Sequence, residues 1–235
     1  WWQLEPFRVK MDSVSLESLI YAVQAVQQLG IVSDSDDSSA VGLGDLANSI
    51  SLSDGNTDII IQLGRKTLGG RAYANVDSSG VVIVDQSLHR VAVDMDYRLW
   101  RDARLFPDFT VDGKRIERMF NGDTLVLDRT LGRWKMLEPV STQIDKDILV
   151  EWIGRIAVAK VSSFVVDSPD NVALFGLENP LASFSVTDRN DVTHTLLIGS
   201  RVSAGSQDRF AMMEGRPVVY QVRWETLSPL FPAPE

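Results

Sequence analysis

One phrase occurs twice in this chain, and it constrains the fold more than any other feature. Trp1, Leu4, Glu5 and Pro6 recur as Trp134, Leu137, Glu138 and Pro139, a displacement of 133 residues. The same frame carries on through Asp12 and Asp145, then through Leu16, Leu19, Ile20 and Val23 against Leu149, Trp152, Ile153 and Ile156. Apolar residues at i, i+3, i+4 and i+7 share one helical face, and an Asp just ahead of them accepts hydrogen bonds from the first-turn N–H groups. Each copy is therefore expected to hold one amphipathic helix, and a self-similar chain has to be parsed by its repeat before its single elements.

After an acidic connection of variable sequence the frame returns one residue later, with Gly42-Leu43 against Gly176-Leu177. "SISLSDGN" at 49–56 parallels "SFSVTDRN" at 183–190, in each case an alternating strand running into a polar tight turn. "DIIIQLG" ending at Gly64 parallels "HTLLIG" ending at Gly199, and the hairpin is expected to close there. A strand with Tyr73 answers one with Phe210, and 81–85 answers 218–222. Alternation of period two means a sheet with one buried face, and Asp-Gly suits a hairpin turn because Gly accepts positive φ. The expected fold class is α+β: two tandem repeats, residues 1–106 and 107–235, each an antiparallel meander of about four strands packed with one helix. Asn121-Gly122, between two alternating runs, is a strong hairpin signal leading into Trp134. Nothing equivalent precedes Trp1, so strands equivalent to 115–133 are expected upstream of Trp1 in a longer parent chain.

Composition excludes several classes. A net charge of −9 over 235 residues argues against binding phosphate backbones, which demands a dense basic surface. The 44% apolar content suffices for real cores, and no apolar run approaches the roughly 20 residues of a membrane span. The absence of cysteine removes disulfides, thiolate metal sites and thiol nucleophiles together.

The residues with chemical potential point to no reaction. His89 and His194 have no ligand partner at i+4, and a structural or surface role is expected for both rather than a metal. The run "SDSDDSS" at 33–39 groups Asp34, Asp36 and Asp37, but it lacks the central Gly and terminal Glu of an EF-hand and reads as a solvated loop. Glu5 and Glu138 would suit glycoside hydrolysis only at roughly 5–10 Å separation. As repeat equivalents they are instead expected to share one structural job: ending a strand, with Trp in the core and Pro setting φ. "GRKTLGG" at 64–70 has Lys66 ahead of its second glycine and reads as a hairpin turn, not a phosphate loop. "GLG" at 42–44 lacks the dinucleotide context. Arg90, Arg98, Arg101 and Arg104, with Arg115, Arg118, Arg129 and Arg133, are interleaved with acids and read as a solvated face that laces the two units together, ahead of a site for an anionic partner; "LSPLFPAPE" at 227–235 reads as an extended tail.

The order strand, Asn-Gly, strand, W-x-x-L-E-P, helix, Gly-Leu-x-x-Pro and L-x-I-G resembles domain-of-unknown-function family 4340, found with gliding-motility-type ABC transporters. Trp134, Leu137, Glu138 and Pro139, then Phe175-Gly176-Leu177-Glu178-Asn179-Pro180, then Leu197-Ile198-Gly199 carry the resemblance. "RLWRDARLF" at 98–106 is similar to the family's Leu-Arg-x-Arg-x-Leu segment, whereas Gly42-Leu43-Gly44-Asp45-Leu46 lacks the proline. The resemblance implies a bacterial envelope protein on the extracytoplasmic (periplasmic) side, tethered to the inner membrane by an N-terminal helix outside this chain, with transporter subunits as protein partners. It brings no catalytic, cofactor-binding or metal residues, and the expectation is a non-enzymatic accessory protein. Two alternatives accompany it: an envelope glycan- or peptide-binding module, with Trp100, Trp152 or Trp224 as exposed aromatic candidates, and a hydrolase with a site between the repeats.

Overall fold

The structure is a computed structural model that describes residues 1–5, 7–32 and 38–231. It divides into two compact units, Trp1–Arg101 and Asp102–Glu235. The boundary differs from the expected one. Leu105 and Phe106, placed by sequence at the end of the first repeat, are buried in the second unit. There the Leu105 N–H donates to the Ala159 carbonyl at 2.8 Å, and the Phe106 ring lies 5.7 Å from that of Phe184.

The first unit opens with a short ribbon, β1 (Trp2–Gln3) paired with β2 (Val9–Lys10). The helix α1 (Ser13–Ala25) follows, started by Asp12, whose side chain accepts the Ser15 N–H at 2.9 Å. Next come β3 (Gln28–Ile31), β4 (Asn48–Ser53), β5 (Asp58–Thr67), β6 (Arg71–Val76), β7 (Val81–Asp85) and the short turn α2 (Ser87–His89). The five strands form an antiparallel sheet in the order β3-β7-β6-β5-β4, with Leu19 and Val23 of α1 packed against Ile61, Leu63 and Leu88.

The second unit begins with the meander β8 (Arg115–Phe120), β9 (Asp123–Thr130), β10 (Arg133–Glu138) and β11 (Thr142–Gln143). Asn121 and Gly122 join the first two with positive φ at both positions, the primed hairpin turn that Asn-Gly favours. The helix α3 (Lys146–Val158) is capped by Asp145, which accepts from the Asp147 and Ile148 N–H groups at 2.8 and 3.2 Å. After it come β12 (Ser163–Asp167), β13 (Ala182–Thr187), β14 (Thr193–Arg201), β15 (Arg209–Met213), β16 (Val218–Val222) and the turn α4 (Trp224–Leu227). Among the described residues these strands make one sheet, β11-β10-β9-β8-β13-β14-β15-β16-β12, antiparallel at every neighbour. Leu149, Ile153 and Ile156 put the apolar stripe of α3 into its core, and Trp152 sits edge-on to Phe184 at 5.9 Å.

Two local features explain the recurring phrases. Asp54 and Asp188 each close the turn after an alternating strand by accepting backbone N–H groups, from Asn56 and Thr57 at 2.8 Å and from Asn190 and Val192 at 2.7 and 2.9 Å. Gly64 and Gly199 are not strand ends, as expected from sequence, since β5 and β14 run past them through a register shift. Both are glycine because another backbone lies against them. A Cβ on Gly64 would meet the Val41 carbonyl oxygen at 2.5 Å, and one on Gly199 the Phe175 carbonyl oxygen at 2.1 Å. Leu43 and Leu177, next to the αL glycines Gly42 and Gly176, drop into the core beside these crossings.

Three expectations are corrected. Each helix is followed by a strand, β3 or β12, that the sequence presented as connection. It crosses to pair with the last strand of the meander. Trp1 is 65% exposed rather than in a core. The segment 224–231 is not an extended tail: Leu227 and Leu230 are fully buried, and the Phe231 ring packs tilted or edge-on against Phe120 and Phe184 at 5.5 and 6.0 Å. Residues 232–235, Pro6 and the acidic positions Asp34, Asp36 and Asp37 lie outside the described residues.

Candidate functional site

In each unit the strand that carries the Trp phrase and the helix after it leave a groove between them. In the second unit the groove has a volume of about 760 Å³ and an apolar floor of Trp134, Leu149 and Ile153. The turn Leu131-Gly132, both residues at positive φ, folds β9 onto β10 and sets Leu131 at its lip, 97% exposed. Arg133, Lys135 and Lys146 line the rim, and none of them pairs with a carboxylate among the described residues. Arg129, also at the rim, is tied to Asp112 at 3.3 Å. Three free cations thus surround an apolar floor in a chain of net charge −9.

The first unit's groove, about 840 Å³, lies between the same elements: Trp1 and Trp2 on one side, Leu16 and Ile20 of α1 on the other. It extends further, past Trp100 to the outer edge of β4 at Leu52. The indole N–H of Trp100 is buried without an acceptor among the described residues.

Glu5 and Glu138 belong to different compact units and both are exposed. Among the described residues no three of His, Asp and Glu lie close enough to hold a metal ion. Gly64–Thr67 lies within β5, and Leu68, Gly69 and Gly70 form the turn to β6, as the hairpin reading requires. Trp152 donates its N–H to the Pro229 carbonyl at 2.6 Å against Phe184, a core role, and Trp224 starts α4. Of the three aromatic candidates, Trp100 lines one of these two grooves.

The basic residues do not form one solvated face. Arg98 and Arg104 make exposed pairs with Asp96 and Asp102, and Arg115 pairs with Glu117. Arg101 and Arg118, however, are 1% and 4% exposed. Arg101 lies over the Phe7 and Tyr97 rings at 5.0 and 5.3 Å, and its Nε donates to the Gln3 side chain at 3.0 Å. Arg101 is a cation used as packing, because a guanidinium is weakly hydrated and stacks on aromatic faces.

His194 is half-buried in β14. Its pKa is held below the ordinary value by burial and by Arg216, against the pull of Asp188 and Asp108. His89 is 1% exposed, and its Nε2 donates to the Tyr73 carbonyl at 3.2 Å. Burial holds its pKa below the ordinary value of 6.5, although the backbone acceptors and Asp94 pull upward; Lys66, paired with Asp94, pushes down. The folded state therefore keeps this ring neutral. As pH falls below about 6.5 the unfolded chain takes up the proton first, so stability present at neutral pH is lost as pH falls through the folded-state pKa. The urea midpoint of the first unit is expected to be lower at pH 5 than at pH 7.5. His89→Gln, which retains a donor for Tyr73, should flatten that slope; an unchanged slope would remove His89 as its cause.

Sequence reasoning read Arg129 and Arg133 into a solvated face and missed Lys135 and Lys146 beside them. The signal was present in "RWK", which sets Arg133 and Lys135 on either side of Trp134, and in Lys146 at the first turn of α3. Residues 134–230 match the family model described as Domain of unknown function (DUF4340), so the match spans the Trp strand, its helix and the strands β12 to β16 through α4. The chain matches no curated protein and no solved structure. No helix among the described residues is long and apolar enough to cross a membrane.

Proposed function

We propose that this chain is a non-enzymatic interaction protein of the bacterial cell envelope, an accessory of an ABC transporter complex on the extracytoplasmic side. Two copies of one module present grooves and sheet edges to protein partners. The observation that carries the reading is the repeated groove. α1 and α3 are each 13 residues long and begin 133 residues apart, and a groove of similar size lies beside each. The β1–β2 and β10–β11 ribbons keep the same displacement pair by pair: Trp2↔Lys10 and Gln3↔Val9 against Lys135↔Gln143 and Met136↔Thr142. Grooves and free strand edges recognise extended or sheet-forming partners without any reactive group. The transporter assignment rests on the resemblance of the Trp-x-x-Leu-Glu-Pro, Gly-Leu-x-x-Pro and Leu-x-Ile-Gly phrases, and the family match over 134–230 supports the module itself.

Capture of the protein from its native envelope after mild cross-linking tests the reading. Transporter subunits joined near the groove of the second unit are the expected result. Reversing the three free rim charges together (Arg133→Glu, Lys135→Glu, Lys146→Glu) should cut their recovery by about tenfold, as charge complementarity sets encounter. Recovery of no transporter subunit overturns the assignment. The free cations around Trp134 also favour a second reading, a binding module for acidic glycans or peptides; saturable binding of an acidic oligosaccharide, lost in the same triple variant, would establish it.

A further inference from the structure

The same bulge occurs in both units, and the residues on it differ in charge. In the first unit β5 and β6 are in register at Leu63↔Ala74, slip past Gly64 and resume at Lys66↔Ala72. In the second, β14 and β15 are in register at Ile198↔Ala211, slip past Gly199 and resume at Arg201↔Arg209. Lys66 and Arg201 thus hold one position, two residues beyond the glycine that lets another backbone pass. Ala72 and Arg209 hold the position facing it.

The first unit neutralises this place with its own side chains. Ala72 is fully buried and adds no charge, and the Lys66 ammonium donates to both carboxylate oxygens of Asp94 at 2.7 Å. The second unit sets two guanidinium groups opposite each other. Residues facing each other across an antiparallel pair have Cβ atoms about 4.5–5.5 Å apart, and like charges there repel. Neither Arg201 nor Arg209 pairs with a carboxylate among the described residues. Asp208, the neighbour of Arg209, has its oxygens engaged by the Gln221 side-chain amide at 3.1 Å and the Trp224 N–H at 3.3 Å. Arg209 is also drawn inward: Ala211 and Met213 follow it on the same face of β15 and are buried, as is Val222, its partner on β16. Its Nε is buried without an acceptor among the described residues, and burial together with Arg201 holds its pKa below the ordinary arginine value. A buried donor without an acceptor is destabilising, and a charged one more so.

We propose that Arg201 and Arg209 clamp a doubly charged oxyanion of the phosphate type, which plays in the second unit the part that the Asp94 carboxylate plays in the first. Two unit charges match a dianion, and the planar fork of each guanidinium matches a pair of phosphate oxygens. The connection 202–208 fixes the span between the two arms. The Val202 N–H donates to the Asp208 carbonyl at 3.0 Å, the Asp208 N–H to Ser206 Oγ at 3.0 Å, and the Ser206 N–H to the Ser203 carbonyl at 3.2 Å. The site shares no residue with either groove and is independent of any transporter.

The test titrates the full chain with inorganic phosphate at constant ionic strength, followed by calorimetry and by backbone amide shifts. One saturable site is expected, with shifts centred on 201–209 and binding at least about tenfold weaker in Arg201→Ala and in Arg209→Ala. The second of these places at the bulge the residue that the first unit already carries there. Arg209→Glu gives Arg201 an internal carboxylate, so without phosphate its thermal midpoint should exceed that of Arg209→Ala, and phosphate should no longer raise it. Arg133→Glu, Lys135→Glu and Lys146→Glu together should leave phosphate binding as in the parent. Glycerol phosphate bound as tightly as the free ion extends the site to esterified phosphate; binding of the free ion alone confines it to that ion, and either supports the clamp. No saturation by about 10 mM phosphate overturns the proposal. So does unchanged affinity in both single variants, or affinity lost only in the triple groove variant; transporter capture is untouched by any of these failures.

Discussion

Gly199→Ala is expected to destabilise the second unit by at least about 3 kcal/mol, among the largest effects of any single methyl group in this chain. The added Cβ would stand 2.1 Å from the Phe175 carbonyl oxygen and 3.2 Å from the Gly176 carbonyl carbon. Both obstacles are backbone, so no rotamer change relieves the overlap; the loop that delivers Leu177 has to lift. That loop is also held by the αL conformation of Gly176, whose own Cβ would meet the Ser200 amide nitrogen at 2.7 Å. Thermal unfolding followed through Trp134, Trp152 and Trp224, all in the second unit, reads the outcome. A midpoint within a degree or two of the parent would mean that the two backbones separate at little cost.

Phe184→Ala is expected to cost about 3–5 kcal/mol, the range for emptying a fully buried aromatic site. Phe184 is 0% exposed and touches three rings, Phe106 at 5.7 Å, Trp152 at 5.9 Å and Phe231 at 6.0 Å. These rings come from the start of the unit, from α3 and from the segment that follows α4, so their collapse into the void is restrained by three separate elements. Ile50→Ala, at the corresponding place on the half-exposed β4, should cost about 1 kcal/mol by lost burial alone. Denaturant titration of both variants decides the matter: similar losses would show that β4 is already as well covered as β13.

What was legible in the sequence was periodic or paired. The helices announced themselves through Asp12 and Asp145 ahead of four apolar residues on one face, and both caps are made. Asn121-Gly122 named its own turn type. What was not legible depended on distant partners. β12 is a short β-branched run, and nothing local indicates that it crosses to β16. The tryptophan phrase looked like a core signature because Trp is large and apolar, yet Trp1 is 65% exposed beside a ribbon that pairs with no other strand among the described residues. Gly64 and Gly199 looked like turn residues, but their role is to let another backbone pass, a constraint carried by Val41 and Phe175 and invisible from the strand itself. The groove cations were hidden for a similar reason, since Lys135 and Lys146 meet only when β10 and α3 are placed side by side.

The order of the second unit's sheet also sets a timetable. Each of its two meanders, β8 to β11 and β13 to β16, pairs strands that are neighbours in sequence, and hairpins of that kind close within about 1–10 μs. The two are joined at one seam, Ala182–Thr187 on Arg115–Phe120, between residues far apart in the chain and separated by the whole of α3 and β12. Loop closure has to precede any reward from that contact, so the seam is the slow event. Until it forms, each meander waits with a naked inner edge, and the residence time of that state governs how long a nascent chain is open to the wrong neighbour.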